Sequence, residues 1–268
     1  MSDSLFDAAC HCLDATAPED KVALTHAAAA AFANGELAIP GQAPPAQPIG
    51  MPGRPPKPTL VSPRALPQRG LGTIAGRAGF VHAIAHIELN AIDLAWDAVY
   101  RFRDLPAEYY ADWVGVANDE ARHFTMLRQR LRELGHDYGD FDAHNGLWEM
   151  AEQTAHDGLA RMALVPRVLE ARGLDVTPGM IVKLRALGDA ATADILAVIL
   201  REEVTHVAVG SRWFRWYCER AGVEPGPRFR ELLTAHARGS LRGPFNREAR
   251  MAAGFDDDEL AALDQLQP

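Results

Sequence analysis

The chain has 268 residues, 48% hydrophobic and 24% charged, with a formal net charge of −9. That is ample apolar material for a large core, and the acidic balance argues against a protein built on nucleic-acid backbone contacts. Cys10, Cys12 and Cys218 make no disulfide framework, no apolar run approaches the roughly 20 residues of a membrane span, and the N-terminus lacks a leader pattern, so a cytoplasmic protein without membrane contact is expected.

Two short helices open the chain, Ser4 to about Thr16 and Glu19 to about Ala33; Pro18 starts the second and Asn34-Gly35 stops it. Ten prolines among residues 39–68 exclude helix and central strand and predict an extended arm that wraps or links. Helix then runs from about Thr73 to Arg103, and again from Pro106 to Leu134, ending at Gly135. Residues 136–146 read as a turn-rich crossover; a role for Tyr138, Asp140, His144 and Trp148 in substrate access is the alternative to plain turn chemistry. A third helical region spans about Leu147 to Arg172, with a break near Gly158 and an end at Gly173. Pro166 inside it is either a simple kink or an opening of the backbone beside a site. Thr177-Pro178 reads as the start of a short helix, and a long one follows from about Asp189 to Arg220. Short helices finish the chain. There, Arg228, Arg230, Arg238, Arg242, Arg247 and Arg250 read as a solvated face. The divisions are 1–38 for the N-terminal helices, 39–70 for the arm, 71–224 for a bundle and 225–268 for a C-terminal extension, all within one all-α domain.

Glu120-Ala121-Arg122-His123 and Glu203-Val204-Thr205-His206 are two copies of Glu-x-x-His. Residues i and i+3 lie about 60° apart on a helix, so each Glu and His share a face. A lone glutamate precedes each copy, Glu88 by 32 residues and Glu170 by 33. The positions one and two turns from Glu88 are Val81, Ile84, Ala85, Ala91, Ile92 and Ala95, and those around Glu120 and Glu203 are similarly apolar. Each glutamate therefore interrupts a core-facing stripe, where an uncompensated carboxylate costs several kcal/mol or protonates. Four carboxylates and two imidazoles in this order form the ligand set of a two-metal site in a four-helix bundle. A buried ion-pair network using Arg122 and Arg201 is the alternative. His82 and His86 share another face and read as packing or surface histidines. Ala91, Ala95 and Gly210 either leave space beside the metals or allow close helix packing.

These residues resemble the ferritin-like di-metal carboxylate superfamily. The closer resemblance is to the ferritin-like family called domain of unknown function 455. It is carried by His86-Ile87-Glu88, Asp119-Glu120-Ala121-Arg122-His123-Phe124, Tyr138-Gly139-Asp140-Phe141, His144-Asn145-Gly146-Leu147-Trp148-Glu149, Glu170-Ala171-Arg172-Gly173-Leu174-Asp175 and Glu203-Val204-Thr205-His206-Val207. The tRNA-hydroxylating ferritin-like enzymes are more distantly similar. The resemblance implies a ferritin-like four-helix bundle with one long crossover. It implies two metal ions, iron first, with manganese or adventitious zinc as alternatives. Glu88 and His123 would hold one ion, Glu170 and His206 the other, and Glu120 and Glu203 would bridge. By the same resemblance, Asp119 would orient His206 and Glu202 would orient His123. The implied function is a non-haem di-iron or mixed iron–manganese oxidoreductase that uses dioxygen to hydroxylate or oxidise a small-molecule or RNA-linked substrate. With no Gly-x-Gly-x-x-Gly fingerprint, electrons would come from a donor protein or the substrate. A ferroxidase, metal-handling or peroxide-scavenging protein is the alternative, and a non-catalytic scaffold the third reading.

Overall fold

The computed structural model describes residues 4–41, 43–67, 69–237 and 241–266. Arg238 therefore lies outside the described residues. The protein is all-α, and among the described residues the only bridges are the isolated pairs Ser4–Ala38 and Leu60–Ala143. The chain divides into two compact units, residues 1–149 and 150–268. No described helix is long and apolar enough to cross a membrane.

The first unit is built on the antiparallel helices α3 (Ile74–Arg101) and α4 (Ala107–Glu133). Thr73 caps α3 by accepting from the Gly76 amide at 3.0 Å, Pro106 precedes α4, and Gly135 stops it at a φ of 82°. α1 (Leu5–Asp14) and α2 (Pro18–Ala33) pack on α3 and α4 respectively, as helices that bury one face must. The proline-rich arm is a strap along this pair. The Gly53 amide donates to Leu13 at 2.7 Å, Gly50 accepts from the Trp148 indole at 2.9 Å, and residues 59–61 exchange backbone hydrogen bonds with Ala143 of the crossover. A chain without its own ladder thus satisfies its backbone on its neighbours. α5 (Gly146–Gln153) carries the chain across the unit boundary.

The second unit centres on α8 (Ala190–Ala221), capped by Asp189 and stopped by Gly222 at a φ of 65°. α6 (Gly158–Leu164) runs into a π-helical turn, Val165–Glu170, and then α7 (Ala171–Ala186). The break before Gly158 is real. A Cβ there would lie 2.4 Å from the Tyr217 hydroxyl, so a larger residue would have to displace that ring. Two expectations need correction: Gly173 does not end a helix and Thr177-Pro178 does not start one, because α7 runs through both. Pro178 withholds the amide that would meet the Leu174 carbonyl, and Asn246 Nδ2 supplies a donor to it at 3.1 Å instead. α9 (Pro225–His236), α10 (Arg247–Ala252) and α11 (Asp257–Gln265) close this unit around Phe214, Phe229 and Phe255.

Candidate metal centre

In the first unit α3 presents Glu88, and α4 presents Glu120 and His123 one turn apart, all three buried. The stripe around Glu88 packs as its spacing requires, with Val81, Ala85, Ala91, Ile92 and Ala95 buried. His123 Nδ1 stands 3.1 Å from Glu88 Oε2 and 3.3 Å from Glu120 Oε2. One ligand atom from each residue lies within 4.8 Å of the others. Burial, and then the charge of Glu120, raise the Glu88 carboxyl well above its ordinary range. Burial disfavours a charged His123 ring, but hydrogen bonds to Glu120 and Glu88, and their charges, outweigh it and push the ring up to about 11. Without a metal Glu88 and His123 therefore hold protons more tightly than the free groups would. A cation offered two carboxylates and an imidazole displaces those protons and relieves the like-charge contact. The donor chemistry fits a metal ion, and oxygen with imidazole nitrogen suits iron or manganese.

In the second unit Glu203 and His206 share one face of α8, both buried, with His206 Nδ1 3.8 Å from Glu203 Oε1. Glu170 is half-buried and is the last residue of the π-turn. The irregularity signalled by Pro166 thus ends on a candidate ligand. Gly210, one turn beyond His206, is a close-packing glycine. A Cβ there would come within 2.4 Å of the Pro166 ring.

The proposed orienting acids pair locally, Asp119 with Arg122 at 2.9 Å and Glu202 with Arg201 at 3.3 Å. Arg201 is 71% exposed and Arg122 40% exposed, so neither is a buried cation of the kind an ion-pair core would need.

Residues 14–261 match the model of a protein family described as a protein of unknown function, DUF455. The chain belongs to the DUF455 family. Over 213 residues, 77% of this chain and 74% of the relative, it is 46% identical to an uncharacterized protein of Haemophilus influenzae. No solved structure matches. All six candidate ligands of this DUF455 chain fall inside the matched span.

Of the two sequence readings for His82 and His86, packing or surface, packing holds: both are buried and hold the crossover of this DUF455 protein. The Gly139 amide donates to His82 Nε2 at 2.9 Å, and His86 bonds the Tyr138 hydroxyl at 2.8 Å and the His144 carbonyl at 3.0 Å. Tyr138 and His144 are thereby tied into the architecture. Other buried polar residues went unassigned from sequence. Lys21, buried, reaches Asp93 at 2.6 Å and the Cys12 and Leu13 carbonyls that end α1. Arg54 of the strap donates to Asn90 at 2.6 Å and stands 3.7 Å from Asp93. The signal was present: residues 82, 86, 90, 93 and 97 recur at helical spacing within an apolar helix. Arg250 also departs from the solvated face expected of the C-terminal arginines. It is buried, bidentate to Asp175 at 2.9 and 2.7 Å.

Proposed function

We propose that this DUF455 protein is a ferritin-like, non-haem di-iron or mixed iron–manganese oxidoreductase that uses dioxygen to hydroxylate or oxidise a small-molecule or RNA-linked substrate. The observation that carries this reading is the buried Glu88–Glu120–His123 trio, a cation-ready set of donors whose counterpart in the sequence is Glu170, Glu203 and His206. Two bound metal ions would supply the electrons for dioxygen reduction. Glu88 and His123 would hold one ion, Glu170 and His206 the other, and Glu120 and Glu203 would be shared between them. Apolar neighbours such as Val116, Ala117, Leu196 and Val207 are buried around the ligand positions and keep water from competing. On metal loading Asp119 would turn from Arg122 to orient His206, and Glu202 from Arg201 to orient His123. A donor protein or the substrate itself would deliver electrons.

Elemental analysis of protein purified without added metal, followed by anaerobic Fe(II) titration, tests the site. Two equivalents are expected in the wild type, and loss of binding in Glu120→Ala and Glu203→Ala but not in His82→Ala. One tight zinc with no second ion, or equal loss in all three variants, overturns it. Oxygen uptake by the loaded protein then tests the chemistry. The packing of Gly210 against Pro166 removes one candidate for substrate space and favours the metal-handling alternative. Rapid multiple-turnover oxidation of added Fe(II) with mineral formation would decide for that alternative.

A further inference from the structure

The helix that carries Glu170 is irregular twice, and residues 246–250, more than seventy positions along the chain, cap both irregularities. At the π-turn the Ala171 amide bonds the Pro166 carbonyl, five residues back, so it does not serve the Arg167 carbonyl as an α-helix would. Arg250 Nη1 reaches that carbonyl at 3.5 Å and Nη2 reaches the Ala171 carbonyl at 3.3 Å. One turn further, Asn246 Nδ2 serves the Leu174 carbonyl left by Pro178. Positions 167, 171 and 174 form one strip along the helix. Asp175 anchors the group by accepting from Arg250 Nε and Nη2 and from the Asn246 amide at 2.9 Å.

A second contact holds the same turn. Arg167 is fully buried, with Nε donating to Ser211 Oγ at 3.1 Å and the guanidinium 4.3–4.7 Å from the rings of Phe214, Phe229 and Phe255. Its Nη2 meets Glu259 of α11 at 2.7 Å, an ionic contact without hydrogen-bond alignment. A wide turn has poorer intrinsic stability than α-helix, so donors aimed at its carbonyls shift the balance towards it. The register matters because closing the π-turn to α geometry would rotate the residues before it by about 100° relative to those after it.

We infer that Asn246 and Arg250 form a latch that keeps the π-turn wide and so sets where Glu170 stands as a metal ligand. Asn246 and Arg250 are positioning residues, and their role rests on the metal reading above. The test uses the full chain and Mn(II) as the probe. Amide exchange at Arg167–Ala171 is measured in metal-free protein, beside melting temperature and Mn(II) affinity. In Arg250→Gln the exchange rises at least about ten-fold, the loss expected for a charge-assisted bond, and the second Mn(II) weakens by a similar factor. Arg250→Lys keeps a charge for Asp175 but cannot serve two carbonyls together. It melts near the wild type yet shows the same faster exchange and weaker second ion. Arg247→Gln, which touches exposed Asp257 and Asp264, changes neither. If Arg250→Gln fails to fold, Asn246→Ala gives the milder form of the same result. A second-ion affinity that tracks melting temperature across the series, or unchanged exchange in both Arg250 variants, overturns the latch. A wild type that binds no Mn(II) or Fe(II) sinks the metal reading and Glu170's role with it, while the exchange data still decide whether the latch holds the turn.

Discussion

On one face of α3, His82, His86, Asn90, Asp93 and Asp97 follow one another at helical spacing, and all five are buried; Glu88 is buried on the opposite face. The first face is matched by the protein itself. Asp93 meets Lys21 and Arg54, Asp97 meets Arg101 at 2.6 Å, Asn90 meets Arg54, and the two histidines hold the crossover backbone. Glu88 instead meets a ring that also serves a second acid, Glu120. Burial raises the pKa of both Asp93 and Glu88. Lys21 and Arg54 oppose the rise for Asp93, whereas the Glu120 carboxylate adds to it for Glu88. A buried acid met by lysine and arginine is architecture. Two acids that share one imidazole form an arrangement that a bound cation would relieve.

The sharpest way to break this contrast is Lys21→Met. The change removes the closest cation from a buried aspartate and the donor that ends α1, at 2.8 and 3.1 Å from two carbonyls. Denaturant unfolding of metal-free protein should show a loss of about 3–5 kcal/mol, the scale for breaking a buried pair from one side. Adding Asp93→Leu should recover much of it, because the uncompensated charge is then gone. A loss below about 1 kcal/mol in the single variant would mean that Arg54 alone satisfies Asp93, and the two faces would no longer differ in kind.

A second test is pH. Burial lowers His82 to about 4, with Asp140 and Asp142 opposing and Arg69 assisting. Its Nε2 accepts from Gly139, so the folded state wants the neutral ring. The folded pKa lies below the unfolded value of about 6.5, so the unfolded chain takes up the extra proton. The contribution is complete above about pH 6.5 and is lost as pH falls towards 4, to a limit of about 3 kcal/mol. Urea midpoints across that window should fall more steeply in the wild type than in His82→Gln. Equal slopes would show that His82 does not hold the crossover as a neutral acceptor.

The sequence showed the frame of this molecule where local chemistry decides it. The left-handed glycines Gly135 and Gly222 stop α4 and α8 as expected, and the apolar neighbours of Glu88, Glu120 and Glu203 predicted the burial of all three. It failed where a distant residue overrides a local rule. Gly173 and Pro178 read as breakers, yet α7 continues because Asn246, 72 residues from Leu174, caps the freed carbonyl. Arg250 read as solvated because nothing local reveals the carbonyl strip that it covers. The polar stripe of α3 was visible as a period, but Lys21 and Arg54 stand 72 and 36 residues from the groups they satisfy, and no spacing rule joins them. Pro166 announced an irregularity but not its π-helical form.

The smallest effect should come from the site itself, in Glu88→Gln without metal. Burial and the Glu120 charge make the Glu88 carboxyl hold its proton more tightly in the folded protein than in the unfolded chain. Wild-type stability is therefore diminished at pH 7 and recovers as pH falls towards the ordinary carboxylate range. Glutamine keeps the shape and removes the titration, so the metal-free variant should match or slightly exceed the wild type, within about 1 kcal/mol. The order reverses on loading. A metal that binds only the folded state adds about 2.7 kcal/mol at a hundredfold excess over its Kd, and a neutral amide in place of Glu88 weakens that binding. Paired melting curves, with and without Fe(II) under anaerobic conditions, would show the crossing. If Glu88→Gln destabilises the metal-free protein as strongly as Lys21→Met does, Glu88 belongs with Asp93 as a structural acid, and the case for a cation between α3 and α4 fails.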